Sequence, residues 1–343
     1  MVNREWSIVN VPYTYYLLLM LEASGPTPYT FRLTPYTFRL IPSTLCLMSY
    51  LCRMHELKPL LTSYAYNILG IREDAEDAVQ DVFLKYEEAS HAHIHDTKAY
   101  LVRMVINRSL DLKEKRQKEK AAYPGNWLPE PIATETADAG ILKTEVLSYS
   151  LLVLLEQLDA RQRAVFILRE AFDYSYEEIA EILSISTDLS RQLLSRARKK
   201  LATGKIAPTI QAQQLTQRYL TLIRNADTKG LEQLLTEDIR LVADGGGKAS
   251  AALNPMEGRM AVAAFLNGIF RKFYSGTPIE MAMINHCPAI LYYENGQVTT
   301  CQICIFEQDQ LASIYVVRNP DKLTGLQKNI SGAVTTDTPF QSL

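Results

Sequence analysis

Cysteine, net charge and long apolar runs are all in short supply here. Five cysteines among 343 residues cannot build a disulfide framework for a chain of this length, and a reduced, cytoplasmic protein is the simpler reading. A formal net charge of −2 argues against a polycation, although it can hide segregated charge. The apolar stretch Tyr15–Leu21 is too short to span a bilayer. Cys301 and Cys304 form a CxxC pair, but inside VTTCQICIF, which alternates as a strand does. Residues three apart on a strand face opposite ways and do not chelate one metal. His91, His93 and His95 alternate through an expected loop, with no strand to point them one way, and read as solvated rather than metal-binding. No metal and no cofactor is expected.

What is present centres on DYSYEEIAEILSISTDLSRQLLSRARKKL, Asp173–Leu201. Tyr176, Ile179, Ala180 and Leu183 recur at helical spacing. Ser184-Ile185-Ser186 is the turn, and Ser186 or Thr187 can cap the next helix. There Leu189, Leu193, Ala197 and Leu201 form one stripe, while Arg191, Ser195, Arg198 and Lys199 fall on another face. A leucine-anchored helix with hydroxyls and cations outward suits a DNA major groove. The bland reading is an amphipathic pair with solvated charges, and a turn with Ser184 where many such turns carry Gly lowers the motif's specificity.

Charge is segregated. Glu73–Glu88 is dominated by anions, whereas Arg103–Lys120 carries seven cations against three anions, which suggests two partner surfaces. Leu57–Leu69 is apolar at helical spacing and ends at Gly70, a plausible C-cap. Glu73–Ala89 buries Ala75, Ala78, Val79, Val82, Phe83 and Tyr86 and leaves Asp74, Asp77, Gln80 and Asp81 outside. Asp96 or Thr97 caps a long helix whose second half, being polar and basic, is expected to leave the core. A proline-bearing linker, 121–140, surrounds Trp127, whose large ring should dock on a domain. Helices are expected over Ile141–Leu158 and Ala160–Ala171, the latter capped by Asp159 with Gln162 reciprocating. Beyond Pro208, which should open a helix, the pattern changes to helices followed by a run of antiparallel strands, with Asn295-Gly296 as a hairpin turn. Asp244–Lys248 should be a flexible turn. The first fifty residues look foreign. TPYTFRL occurs at Thr27–Leu33 and again at Thr34–Leu40, and translated upstream DNA, with the natural start at Met48 or Met54, is the preferred reading over an export signal or membrane anchor.

EDAEDAVQDVFLKY, KAYLVRMVINRSLDL and the helix pair ending RQLLSRARKKL resemble an extracytoplasmic-function sigma factor. The tail resembles the SnoaL-like, ketosteroid-isomerase-like cone fold, which one sigma subgroup carries fused. That subgroup's WLPEP, DGGGK and NPDKL motifs stand here as Trp127–Pro131, Asp244–Lys248 and Asn319–Leu323. The resemblance implies two all-α domains, the second a helix-turn-helix, followed by an α+β cone domain. It implies a non-family extension at 1–53, region two at 54–120, the linker at 121–140, region four at 141–203, the cone domain at 208–323 and a flexible tail at 324–343.

By the same resemblance, Asp74, Asp77, Gln80 and Asp81 would dock on the polymerase clamp, and the protein would also meet the flap. Arg103, Asn107, Arg108 and Lys113 would meet the downstream promoter element. Arg191, Gln192, Ser195, Arg196 and Arg198 would meet the upstream one, with Lys199 and Lys200 on phosphates. Regulation in cis would run through contact of Trp127, Leu128, Pro129, Glu130 and Pro131 with Asp244, Gly245, Gly246, Gly247, Lys248, Asn319, Pro320 and Asp321. The rivals are a helix-turn-helix regulator with a ligand-binding sensor domain, and an enzyme with Asp238, Asp244 or His286 as general base in an apolar pocket.

Overall fold

The computed structural model describes residues 42–88, 94–120, 122–135, 140–201 and 211–330. The chain divides into two compact units, Met1–Ser49 and Tyr50–Leu343. Residues 1–41 of the expected foreign segment, the helix start at Pro208, His91, His93 and most of the tail lie outside the described residues, whereas residues 42–53 of that segment are helical. No described helix is long and apolar enough to cross a membrane.

Three helices open the fold: α1 (Pro42–Leu69), α2 (Arg72–Glu88) and α3 (Thr97–Lys120). Gly70, at φ +79°, turns α1 into α2, and the Asp96 carboxylate accepts the Ala99 N–H at the start of α3. Ala75, Ala78, Val79, Val82 and Tyr86 of α2 are buried as the spacing requires.

The helix expected over Ile141–Leu158 is broken into a 3-10 turn, Lys143–Glu145, and α4 (Tyr149–Leu155). The break has a partner. The Asn67 amide donates to the Glu145 carbonyl and accepts the Leu147 N–H, which holds the backbone between the pieces extended. Then come α5 (Ala160–Phe166), running into a π-helical turn at Ile167–Ala171, α6 (Tyr176–Leu183) and α7 (Thr187–Leu201). Asp159 caps α5, but Gln162 does not reciprocate; its side-chain oxygen accepts from Lys200 instead. The reciprocal box falls at Ser175 and Glu178, opening α6. Ser184 adopts the left-handed conformation that glycine usually fills, φ 53°, and Ser186 caps α7. All seven helices contribute to one apolar cluster.

The last part holds α8 (Ala212–Arg224), α9 (Thr228–Leu234), β1 (Leu235–Asp244), β2 (Met256–Glu257), α10 (Arg259–Ile269), β3 (Ile279–Ile284), β4 (Cys287–Glu294), β5 (Gln297–Glu307), β6 (Gln310–Val317) and α11 (Thr324–Ile330). The sheet order is β2-β1-β6-β5-β4-β3. It is mixed, not purely antiparallel: β1 runs parallel to β6, because helix α10 and three hairpin-linked strands intervene before β6 returns beside it. Asn295-Gly296 makes the β4–β5 turn with both φ positive, and Asn285-His286 and Gln308-Asp309 repeat that geometry.

Both faces of this sheet are covered. Ile290, Tyr292, Cys304 and Phe306 pack under α8, α9 and α10. Ala289, Leu291, Cys301, Ile303 and Tyr315 point the other way, onto Leu128, Ala133, Tyr149, Leu323 and Leu326. Cys301 and Cys304 thus sit on opposite faces, as their spacing requires. The second face is where the linker and α4 meet the sheet.

Candidate functional site

The cationic helix α7 presents Arg191, Gln192, Ser195, Arg196, Arg198, Lys199 and Lys200 to solvent, with Leu193, Leu194 and Ala197 inward. Tyr176, Arg191, Ser195, Arg198 and Lys199 line a shallow groove. The Arg191 guanidinium lies 5.2 Å from the Tyr176 ring centroid and pairs with Asp188 at 3.2 Å. Arg198 pairs with Glu170. These exposed pairs are weak and exchangeable, each contributing about 0–1 kcal/mol, so a phosphate can displace the carboxylates.

Helix α3 is less open. Asn107 donates to the Ile182 carbonyl at 2.9 Å, and Arg103 donates to the Ser184 hydroxyl at 3.0 Å. The α6–α7 turn therefore sits on the α3 face expected to meet DNA. Arg108 donates twice to one Asp81 oxygen, at 3.0 and 2.6 Å, and Arg116 pairs with Asp74. The acidic and basic surfaces, read as separate from sequence, are in part paired with each other. Asp77 and Gln80 remain exposed, with Leu84 beside them.

Lys113 corrects the expectation for the second half of α3. It is buried, donating to Glu156 at 2.8 Å and to the Leu69 carbonyl at 3.3 Å, so it is no phosphate contact in this arrangement. Glu156 also holds Arg163, which is fully buried and donates twice to the Asn67 carbonyl. One carboxylate thereby ties α1, α3 and α5 together, the kind of buried pairing that is costly to break from one side.

The linker is fixed by two hubs. At the first, Asp244 is fully buried. Its carboxylate accepts from Tyr123 Oη at 2.7 Å, Lys322 Nζ at 2.7 Å, Leu128 N–H at 2.9 Å and Gly246 N–H at 3.0 Å. Asn319 donates to Tyr123 Oη, and Lys322 also donates to the Leu128 carbonyl. Burial, then the Asp244 carboxylate it bonds, pushes the Tyr123 hydroxyl's pKa up. The loop expected to be flexible is held: Gly246, at φ +59°, lies so near Asn319 that a Cβ would meet its side-chain amide at 2.3 Å. Lys248 pairs with Asp321 across the surface. Trp127 is half-buried, with Lys322 Nζ 4.3 Å and Lys113 Nζ 5.2 Å from its ring.

The second hub is the Asn285-His286 hairpin tip. Asn285 is fully buried. It exchanges backbone bonds with Ile132 and Tyr149, accepts the Ile132 N–H on its side chain, and donates to Tyr66 Oη at 2.9 Å. Tyr66 Oη donates onward to the Glu130 carbonyl at 2.7 Å. His286 lies within 3.1 Å of the Lys143 and Val146 carbonyls. One tip thus touches α1, the linker and the segment leading into α4.

Glu130 joins linker to helix. Its N–H donates to the Gly70 carbonyl and its carboxylate accepts the Arg72 N–H at the start of α2. Burial pushes its pKa up to about 7, against the opposing pull of the Arg72 N–H. Pro129 and Pro131 are buried beside it.

None of the three candidate bases occupies an apolar pocket. Asp238 is exposed, Asp244 is saturated by donors, and His286 sits at an exposed tip. The cone interior is instead occupied by a Tyr219–Gln302–Tyr292 hydrogen-bond chain. Sequence reasoning singled out the motif around Asp244 but missed Tyr123 and Lys322 as its partners, and it missed the second hub of Asn285, Tyr66 and Tyr149. The Asn285-His286 pair, flanked by apolar strands, was the available signal.

A helix-turn-helix beside a second helical domain with a partly exposed acidic face is an arrangement that suits a transcription-initiation factor. Residues 54–119 match the family described as sigma-70 region 2, and residues 148–201 the one described as sigma-70, region 4. The ECF RNA polymerase sigma factor SigJ of Mycobacterium tuberculosis (strain ATCC 25618 / H37Rv) is 28% identical over 287 residues, covering 78% of this chain and 91% of that protein. The probable ECF RNA polymerase sigma factor SigI of Mycobacterium tuberculosis (strain CDC 1551 / Oshkosh) is 25% identical over 285 residues, covering 79% and 94%. The crystal structure of Mycobacterium tuberculosis SigJ superposes with a TM-score of 0.67 at 27% identity, covering 80% of this chain and 98% of that one. The chain thus carries sigma-70 regions 2 and 4 followed by an α+β domain, and over most of its length it is similar to extracytoplasmic-function sigma factors.

Proposed function

We propose that the protein works in the cytoplasm, binds core RNA polymerase through its clamp and flap, directs it to promoter DNA, and is held by its C-terminal domain in a closed state. The observation that carries this reading is the use of Asn107 and Arg103 on the Ile182 carbonyl and the Ser184 hydroxyl. Side chains expected at the downstream promoter element are spent on the upstream-reading turn. Release of that turn requires the linker to move, and Asp244 and Asn285 hold the linker. Asp77 and Gln80 stay exposed in the closed state, so docking on the clamp does not wait for opening. Electrostatic complementarity there governs encounter and orientation. On α7, Arg191, Gln192, Ser195, Arg196 and Arg198 take base edges while Lys199 and Lys200 take phosphates. The C-terminal domain acts as a regulator rather than an enzyme.

The test is run-off transcription with purified core polymerase on a cognate promoter, comparing the full chain with Asn285→Ala and Asp244→Asn. Both variants are expected to change transcription several-fold while core-polymerase affinity stays within about twofold. Unchanged transcription in both would overturn regulation through these hubs.

A further inference from the structure

Tyr176, the first residue of α6, belongs by spacing to that helix's apolar stripe. Its ring is nevertheless only half-buried, and it walls the groove on α7 together with Arg191, Ser195, Arg198 and Lys199. The Ser175–Glu178 capping box locks the backbone beneath it. Two guanidinium groups lie against the ring, Arg191 at 5.2 Å and Arg169 at 5.1 Å from its centroid. Arg169 is anchored in turn, donating to the Tyr174 carbonyl at 2.7 Å. Arg191 has two further partners, Asp188 at 3.2 Å and Glu177 at 3.5 Å, both more exposed than Arg191 itself.

These partners respond differently to DNA. A phosphate backbone repels Asp188 and Glu177 and competes with them for the guanidinium, and exposed ion pairs yield readily to such competition. The tyrosine ring carries no charge, so an approaching phosphate does not drive it off. A guanidinium held over an aromatic face keeps its in-plane N–H donors free. Two such donors are what the O6 and N7 atoms of a guanine accept.

We propose that Tyr176 is a positioning residue for promoter recognition: it holds the Arg191 guanidinium so that Arg191 meets one guanine of the upstream element with little loss of freedom. This rests on the reading that α7 takes base edges. A long side chain that wanders in the free protein must be immobilised to make a bidentate contact. With any other base that contact is not made, so the ordering cost bears on the guanine alone. Removing the ring raises that cost and lowers the preference for guanine, by about two- to tenfold for one long side chain. Asp188 and Glu177 act in the opposite sense. They oppose the template, and neutralising them should strengthen binding without changing which base is chosen.

The test uses holoenzyme assembled from core RNA polymerase and the full chain, on a pool of cognate promoters randomised through the upstream element. Bound DNA is sequenced and base preference is read position by position. Arg191→Ala should erase a guanine preference at one position, about tenfold in the parent. Tyr176→Leu should cut the preference at that same position by about two- to tenfold and leave the other positions as they are. Tyr176→Phe, which keeps the ring, should retain it. Glu177→Gln combined with Asp188→Asn should keep the preference and raise overall affinity. An unchanged preference in Tyr176→Leu overturns the proposal, and so does an equal weakening at every position, the mark of a loosened helix pair. If Arg191→Ala alters no position while Gln192→Ala or Arg198→Ala does, α7 still reads the promoter and only the role given to Arg191 and Tyr176 falls. If none of the three alters any position, the reading of α7 falls and the proposal with it. Thermal melts accompany the selection. Should Tyr176→Leu melt early, the carboxylate double variant decides: a kept preference leaves the ring as the holder of Arg191, and a lost one transfers that role to the carboxylates and overturns the proposal.

Discussion

The two faces of the C-terminal sheet are both apolar and do opposite things. The face carrying Ile290, Tyr292 and Phe306 closes on helices of its own domain. The face carrying Leu291, Ile303 and Tyr315 closes on the linker and α4. A one-residue step along β4 moves from one job to the other. Hydrophobic burial builds the domain on one side and docks it on the other, and only polar partners tell them apart. Behind the first face hydroxyls and an amide bond one another; at the rim of the second Asn285 donates to Tyr66 and the Asp244 carboxylate accepts the Leu128 N–H.

The comparison breaks most severely at Asp244. Asp244→Ala leaves Lys322 buried without its carboxylate, and a loss of about 3–5 kcal/mol is expected, read by urea denaturation together with faster proteolysis in the linker. Next come paired truncations, Ile290→Ala and Leu291→Ala, each costing about 2–5 kcal/mol. The first should lower the melting point of the C-terminal domain itself. The second should spare that domain in isolation and lower the cooperativity with which the whole chain unfolds, seen by calorimetry.

Glu130 gives a pH-dependent contrast. Its folded pKa, about 7, lies above the ordinary 4.5. The folded state therefore holds more protons than the unfolded chain across that window, and stability falls as pH rises from about 4.5 to 7, then levels. The span is at most about 3 kcal/mol. Glu130→Gln should flatten this part of a melting-point profile. At the small end, Tyr149→Phe removes the 2.8 Å donation to the Pro129 carbonyl, and a loss of about 1–2 kcal/mol is expected, confined to the docked face.

The helices and strands were legible because their apolar residues recur at 3.6 or 2 residues. The left-handed Ser184 and the split before α4 were not. The first is a backbone C-cap, its N–H on the Ala180 and Glu181 carbonyls, and the second is held by the distant Asn67 side chain on Glu145 and Leu147; periodicity carries no information about either. The exposed row on α7 was visible as a second stripe beside the leucines. Lys113 was misread because the stretch from Lys113 to Lys120 is polar, while its actual partner, Glu156, lies on the far side of the linker in sequence. The parallel β1–β6 pairing was hidden for the related reason that strand order is a property of connections, not of strands.

The Asn285-His286 tip is two residues long, both with positive φ, and the strands beneath it are paired with or without what it grips. Shape and attachment are therefore separable in the hairpin. An Asn-Gly tip would close the same turn and keep the asparagine while shedding the imidazole; Gly-Asn would shed both contacts. A coupler this small can be retuned in single steps without rebuilding either body it joins, so related chains could set different holding strengths from one shared scaffold.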